Sequence, residues 1–177
     1  MIRAVVLFFT LTINLILQST VFGYIEIIGI RPNTAILIVV SYAILRGDTE
    51  GAAAGFFAGL LQDIFFGGVI GMNALIYMLI GYACGKPFKD FFHETLFFPL
   101  LLGSLSVFLY SLVFYFLNFM LRGKLDFFYY FRKIILPETV YTVVLTTPVY
   151  RFVYAVNNRI ERRENKRRML FREDSKQ

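Results

Sequence analysis

One cysteine and one histidine are all that this 177-residue chain offers of the side chains most used to hold metals or attack substrates. A single cysteine, Cys84, excludes an internal disulfide framework and any multi-cysteine metal site, and it is expected to pack in an apolar setting. His93 lies in the polar stretch KPFKDFFHET, where it reads as a solvated loop residue. There is no paired-histidine zinc motif, no phosphate-cradling GxxxxGK(S/T) loop and no GxSxG elbow. The sequence therefore does not read as an enzyme, and no cofactor is expected. Charge is scarce as well: residues 1–158 hold 18 of the 30 charged side chains, and residues 159–177 hold the other 12. No small-x-small cleavage site follows the first apolar run, which is expected to stay as a membrane helix.

Apolar side chains are abundant. Hydrophobic residues make up 58% of the chain, and the mean hydropathy of +0.65 is well above that of a soluble globular domain. The expected class is an all-α integral membrane protein, a compact bundle of six transmembrane helices, some of them short. Residues 1–156 are the expected membrane domain, and residues 157–177 a basic cytoplasmic tail.

Residues 4–22 form the first run, with Asn14 and Gln18 one turn apart on a face able to hydrogen-bond to another helix. Residues 23–31 are mixed. The second run, Pro32 to Leu45, has Pro32 suited to a first helical turn. Its 14 residues give only about 21 Å of helix, so it needs protection by protein or extra length from its neighbour. The third run, Gly51 to Phe66, and the fourth, Val69 to Gly85, are also short. Residues 96–120 read as a full span with Pro99 in its first turn. Residues 121–136, mixing charge with Phe-Phe-Tyr-Tyr-Phe, suit a segment lying on the bilayer surface. Pro137-Glu138 reads as the start of the last span, which runs to about Val156 with a kink expected at Pro148.

Six crossings place both termini in the cytoplasm, because the tail carries eight Lys/Arg. Cytoplasmic segments then hold 12 basic residues and outer ones five. The tail is net +4, and Arg159, Arg162, Arg163, Lys166, Arg167 and Arg168 are expected to attract anionic lipid, not nucleic acid.

The most informative stretch is 45–86. Gly51, Gly55 and Gly59 repeat every four residues, Asp63 continues the spacing, and Gly67-Gly68 follows. Four residues advance a helix slightly more than one turn, so these positions form one slowly drifting stripe suited to close backbone contact. Asp63 is costly to bury in lipid. Three roles stay open for it: a proton or ion site, an anchor for a partner's basic residue, or a helix-end residue reaching outer water. Arg46, Asp48 and Glu50 crowd the preceding turn, either solvated or with Arg46 snorkelling to pair with a carboxylate.

The order LRG…EG…GF..GL..D…G…G.NAL over Leu45–Lys86, with LILQSTVF in the first run and Arg31-Pro32-Asn33 before the second, resembles the MreD family of rod shape-determining proteins. That resemblance implies a six-helix fold similar to the substrate-binding subunits of energy-coupling-factor vitamin transporters. It implies a non-enzymatic scaffold in the inner membrane of rod-shaped bacteria, partnered by a bitopic MreC-type protein and other elongation proteins that direct peptidoglycan synthesis. The motif positions carried over are Arg31, Pro32, Arg46, Glu50, Gly51, Gly55, Gly59, Asp63, Gly71 and Asn73, expected to bind the partner or pack helices. The alternative is a substrate-binding subunit of a vitamin-type transporter. Such subunits carry a small-xxx-small docking motif on the first helix, and here no Ala or Gly follows Ala4 until Gly23.

Overall fold

The computed structural model describes residues 2–24, 32–66, 69–86, 97–117 and 127–174, and the side chains of all of these but 2–4, 21–24, 97–98, 127 and 160–174. Among the described residues every regular element is helical and none is a strand. The elements are α1 (Ile2–Tyr24), α2 (Thr34–Arg46), α3 (Asp48–Phe66), α4 (Met72–Gly85), α5 (Phe97–Tyr115), α6 (Phe127–Tyr130), a π-helical turn (Phe131–Ile135) and α7 (Leu136–Asp174). The last three run on without a break, so the all-helical expectation holds with six helical rods. Arg31, Gly67-Gly68 and His93 lie outside the described residues.

The second apolar run becomes the centre of the bundle. α2 is rich in Ile and Val, whose branched side chains lose rotamer freedom in a helix and make it a poor helix by itself. It forms because it is enclosed: every residue from Thr34 to Leu45 is buried, and α2 touches α1, α3, α4, α5 and α7. The expectation that so short a helix needs protein around it is met. Its start differs from the sequence reading. Asn33 is the N-cap, its side chain accepting the Ile36 N–H at 3.3 Å, so Pro32 lies before the helix and not in its first turn. An amide oxygen can take up an orphan N–H, and proline offers no such group. At the far end Gly47 closes α2 at φ 96°, a left-handed conformation that suits glycine, and α3 begins at the next residue.

The C-terminal part also departs from expectation. The last α-helix begins at Leu136 with Pro137 and Glu138 in its first turn, as the sequence reading has it, but the described chain before it, from Phe127, is already helical and runs on into it. The π-helical turn supplies the reason. Leu136 N–H donates to the Phe131 carbonyl, five residues back, in a widened turn just before the proline, which has no N–H to give. Helix also continues past Val156 to Asp174, so the tail extends the last rod. Inside α7, Thr142 and Thr146 return their hydroxyls to the carbonyls of Glu138 and Thr142, both at 2.7 Å. Gly103 lets α5 approach α2 and α7: a Cβ there would lie 3.1 Å from Leu37 Cδ2 and 3.3 Å from Thr146 Oγ1.

Among the described residues, no helix is both long and apolar enough to cross a membrane on its own. The run expected over 96–120 is described as helix for Phe97–Tyr115.

Candidate functional site

The glycine stripe is used inside the chain. α3 and α4 pack more closely than any other pair of helices described, backbone against backbone. A Cβ added at Gly51 would sit 2.5 Å from Ala43 Cβ and 2.8 Å from the Gly81 carbonyl oxygen. One at Gly55 would overlap the Tyr77 carbonyl, and one at Gly59 the Asn73–Ala74 backbone. The approach is mutual: a Cβ at Gly81 would overlap the Gly51 carbonyl, and one at Gly85 would lie 2.5 Å from Asp48 N. Two facing rows of glycine, one on each helix, thus let the pair close.

Asp63 completes this hairpin. Its side chain is 1% exposed, which rules out the reading of a helix-end carboxylate reaching outer water. The reason is the start of α4. Gly71 is the N-cap at φ 99° and has no side chain with which to cap. Asp63 takes over that role from the neighbouring helix. Its Oδ2 accepts the N–H of Gly71 at 2.8 Å and of Ala74 at 3.1 Å, and its Oδ1 accepts the N–H of Asn73 at 3.1 Å. The bonds at Asn73 and Ala74 fall on the second and third helical residues, the two N–H groups an ordinary cap satisfies. A carboxylate at the positive end of the helix dipole is also favoured electrostatically. Both oxygens are thereby engaged by backbone N–H groups.

A polar network spreads from this point to two more helices. Tyr110 on α5 donates to Asn73 Oδ1 at 3.0 Å. Asn33 and Tyr77 face one another, with Nδ2 donating to the tyrosine oxygen at 2.8 Å and the hydroxyl donating to Oδ1 at 3.0 Å. The Tyr77 and Tyr110 rings meet edge to face at 5.4 Å, joining the two pairs. α2, α3, α4 and α5 are tied together at one level, where α2 and α4 begin and α3 ends. A second link, between α5 and α7, is Ser111 donating to Glu138 Oε2 at 2.8 Å.

The remaining sequence candidates fall elsewhere. Pro32 is buried beside this network. Arg46 and Glu50 lie at the opposite end of α2 and α3, both half-buried, with Tyr42 Oη 3.5 Å from Glu50 Oε2. Asp48 accepts its neighbour Thr49's N–H at 2.8 Å. Asn14 and Gln18 are buried on α1, and Gln18 Oε1 has no hydrogen-bond partner among the described residues. Cys84 is buried 3.4 Å from Ser106 Oγ. Arg159 is exposed on α7, and the side chains of Arg162, Arg163, Lys166, Arg167 and Arg168 lie outside the described residues.

Sequence reasoning missed Asn33, Tyr77, Tyr110 and Glu138 as members of a polar network. Asn33 carried a signal, an Asn between Pro and Thr ahead of an apolar run. The tyrosines carried none, being two among 11 Tyr and 21 Phe.

The arrangement is a helical bundle with an internal polar lock. The chain belongs to the MreD family of rod shape-determining proteins, whose family model matches residues 1–158. No curated protein and no solved structure matches it.

Proposed function

We propose that the chain is a non-enzymatic membrane scaffold of the cell-wall elongation complex. In this reading it maintains rod shape by binding an MreC-type bitopic partner and helping to direct peptidoglycan synthesis. The observation that carries the reading, beside family membership, is how the carboxylate of the glycine stripe is spent. Asp63 is engaged in holding two helices together, as suits a rigid platform.

The distribution of polarity supports a bilayer setting. Phe8, Phe57, Phe65, Leu75, Leu79 and Val144 point outward, while Asn33, Ser41, Asp63, Asn73, Ser106 and Thr142 are buried. Hydroxyls of Thr10 and Thr12 on α1 return to their own helix, at 2.8 Å from the carbonyls of Val6 and Phe8. Polar groups such as these, turned inward or bonded back to their own helix, suit a surround that offers no hydrogen bonds. The reading places six helices in the bacterial inner membrane, both termini in the cytoplasm, and a fold akin to the substrate-binding subunits of energy-coupling-factor transporters. Reporter fusions at Gly68, Phe91, Lys124 and Gln177 should read out, in, out and in; an external Gln177 overturns the topology.

Depletion tests the function. Cells losing the protein should round or widen while wall synthesis continues, since a lost scaffold misdirects synthesis and leaves its chemistry intact. An MreC-type partner should co-purify in detergent. Cells that keep their shape and fail instead to take up a vitamin would replace the scaffold with a transporter subunit.

A further inference from the structure

The helices on the outside of this bundle are unequal in length. α4 has 14 residues and the apolar part of α3, Gly51 to Phe66, has 16. At 1.5 Å per residue these reach about 21 and 24 Å, against a hydrocarbon core of about 30 Å. The apolar run of α1, residues 4–22, has 19 residues, or about 28 Å. Tilting a helix only shortens its reach across the bilayer. Among the described residues the outward face of the hairpin is bare of protein: Phe57, Phe65, Leu75 and Leu79 are each more than half exposed.

The short hairpin has no means of gaining height. At one end Asp63 fixes where α4 begins. At the other, Gly85 closes on the Gly47–Asp48 backbone. Between them the facing glycines lock the helices against sliding, because any shift would drive a Cβ or a carbonyl into backbone. A rigid apolar face shorter than the hydrocarbon leaves the lipid to adjust.

We propose that the α3–α4 hairpin thins the bilayer beside it and takes short acyl chains along its outward face, while α1 borders bilayer of full thickness. This rests on the membrane placement under Proposed function. The occupant of the face is lipid, recognised by chain length and not by headgroup, since the exposed groups are alkyl and aromatic.

The chain contains no tryptophan, so single reporters can be placed at will. Leu79→Trp and Leu75→Trp report the hairpin face, and Phe8→Trp reports α1. The full-length protein is reconstituted into phosphatidylcholine vesicles containing brominated lipid, which quenches tryptophan on contact, with acyl chains of about 14 or about 20 carbons. At both hairpin reporters the short brominated lipid should quench at about one-third of the mole fraction the long one needs, with no such preference at Phe8→Trp. Equal preference at hairpin and α1 reporters overturns the thinning while leaving the membrane placement intact. Absence of quenching by either lipid at every reporter overturns the membrane placement, and the thinning with it. Using two hairpin reporters keeps the test decisive if one variant fails to fold.

Discussion

The α3–α4 hairpin and α1 belong to one bundle but are held in it by different means. In the hairpin, glycines remove side chains from the interface, the two backbones touch, and the buried carboxylate meets three N–H groups. α1 approaches its neighbours through side chains: Leu11 is buried and Leu7 packs against the core, with fewer contacts to α2 and α3 than those helices make with α4. α1 also brings Asn14 and Gln18 inward, and Gln18 Oε1 is left without a partner among the described residues. Close backbone packing tolerates almost no change of volume, whereas side-chain packing can re-form around one. The hairpin should therefore fail sharply under substitution and α1 gradually.

The largest expected effect is at the glycines. Gly55→Leu or Gly59→Leu should destabilise the protein by at least about 3 kcal/mol, because a Cβ already overlaps α4 backbone, which cannot rotate away as a side chain could. Thermal aggregation of the detergent-solubilised protein, followed by gel filtration, measures this. Val144→Leu, on an exposed face of α7, is the control and should change little. Equal tolerance at all three positions would dissolve the contrast between hairpin and periphery.

Next comes the cap. Asp63→Ala leaves the N–H groups of Gly71, Asn73 and Ala74 without their acceptor, which should cost about 2–4 kcal/mol. Asp63→Asn separates cap from filler. An amide keeps one oxygen but turns an NH2 toward backbone N–H donors, so it should recover only part of the loss. Full recovery by Asn would show that volume, not acceptance by both oxygens, is what matters at this site.

How far these features were readable in the sequence depends on how local their causes are. Gly51, Gly55 and Gly59 announce themselves by spacing, since periodicity alone puts them on one face. α2 was legible as a protected helix, because a 14-residue run is too short to stand alone in a bilayer. The role of Asp63 was not legible, because its partners are backbone atoms 8, 10 and 11 residues away, across a reversal of the chain. A clue did exist: Gly71 heads a helix and has no side chain to cap it, so a cap had to come from elsewhere. The helical turn ahead of Pro137 was not legible for a related reason. Proline is a good first-turn residue, and only the widened turn before it, set by i→i+5 bonding, allows helix on both sides.

A smaller effect is expected at Gly71. A Cβ there would meet nothing within 4 Å, yet φ is 99°. Gly71→Ala should cost about 1–2 kcal/mol from backbone strain alone. Gly71→Asn should cost less than Gly71→Ala, since asparagine tolerates the left-handed region better. Together they separate conformational from steric demand for glycine, which at Gly55 act in the opposite proportion.

The smallest effect, and the one of opposite sign, is at Gln18. Its side chain is 5% exposed and its Oε1 accepts nothing from the described residues. A buried acceptor without a donor costs free energy, and replacing it by an apolar group of similar size removes that cost. Gln18→Met preserves length and flexibility while deleting the amide. The isolated protein should be unchanged or up to about 1 kcal/mol more stable in the same aggregation assay. A clear loss of stability would mean that α1 draws on its amide as the hairpin draws on Asp63, and the distinction between the two regions would narrow to their backbone spacing.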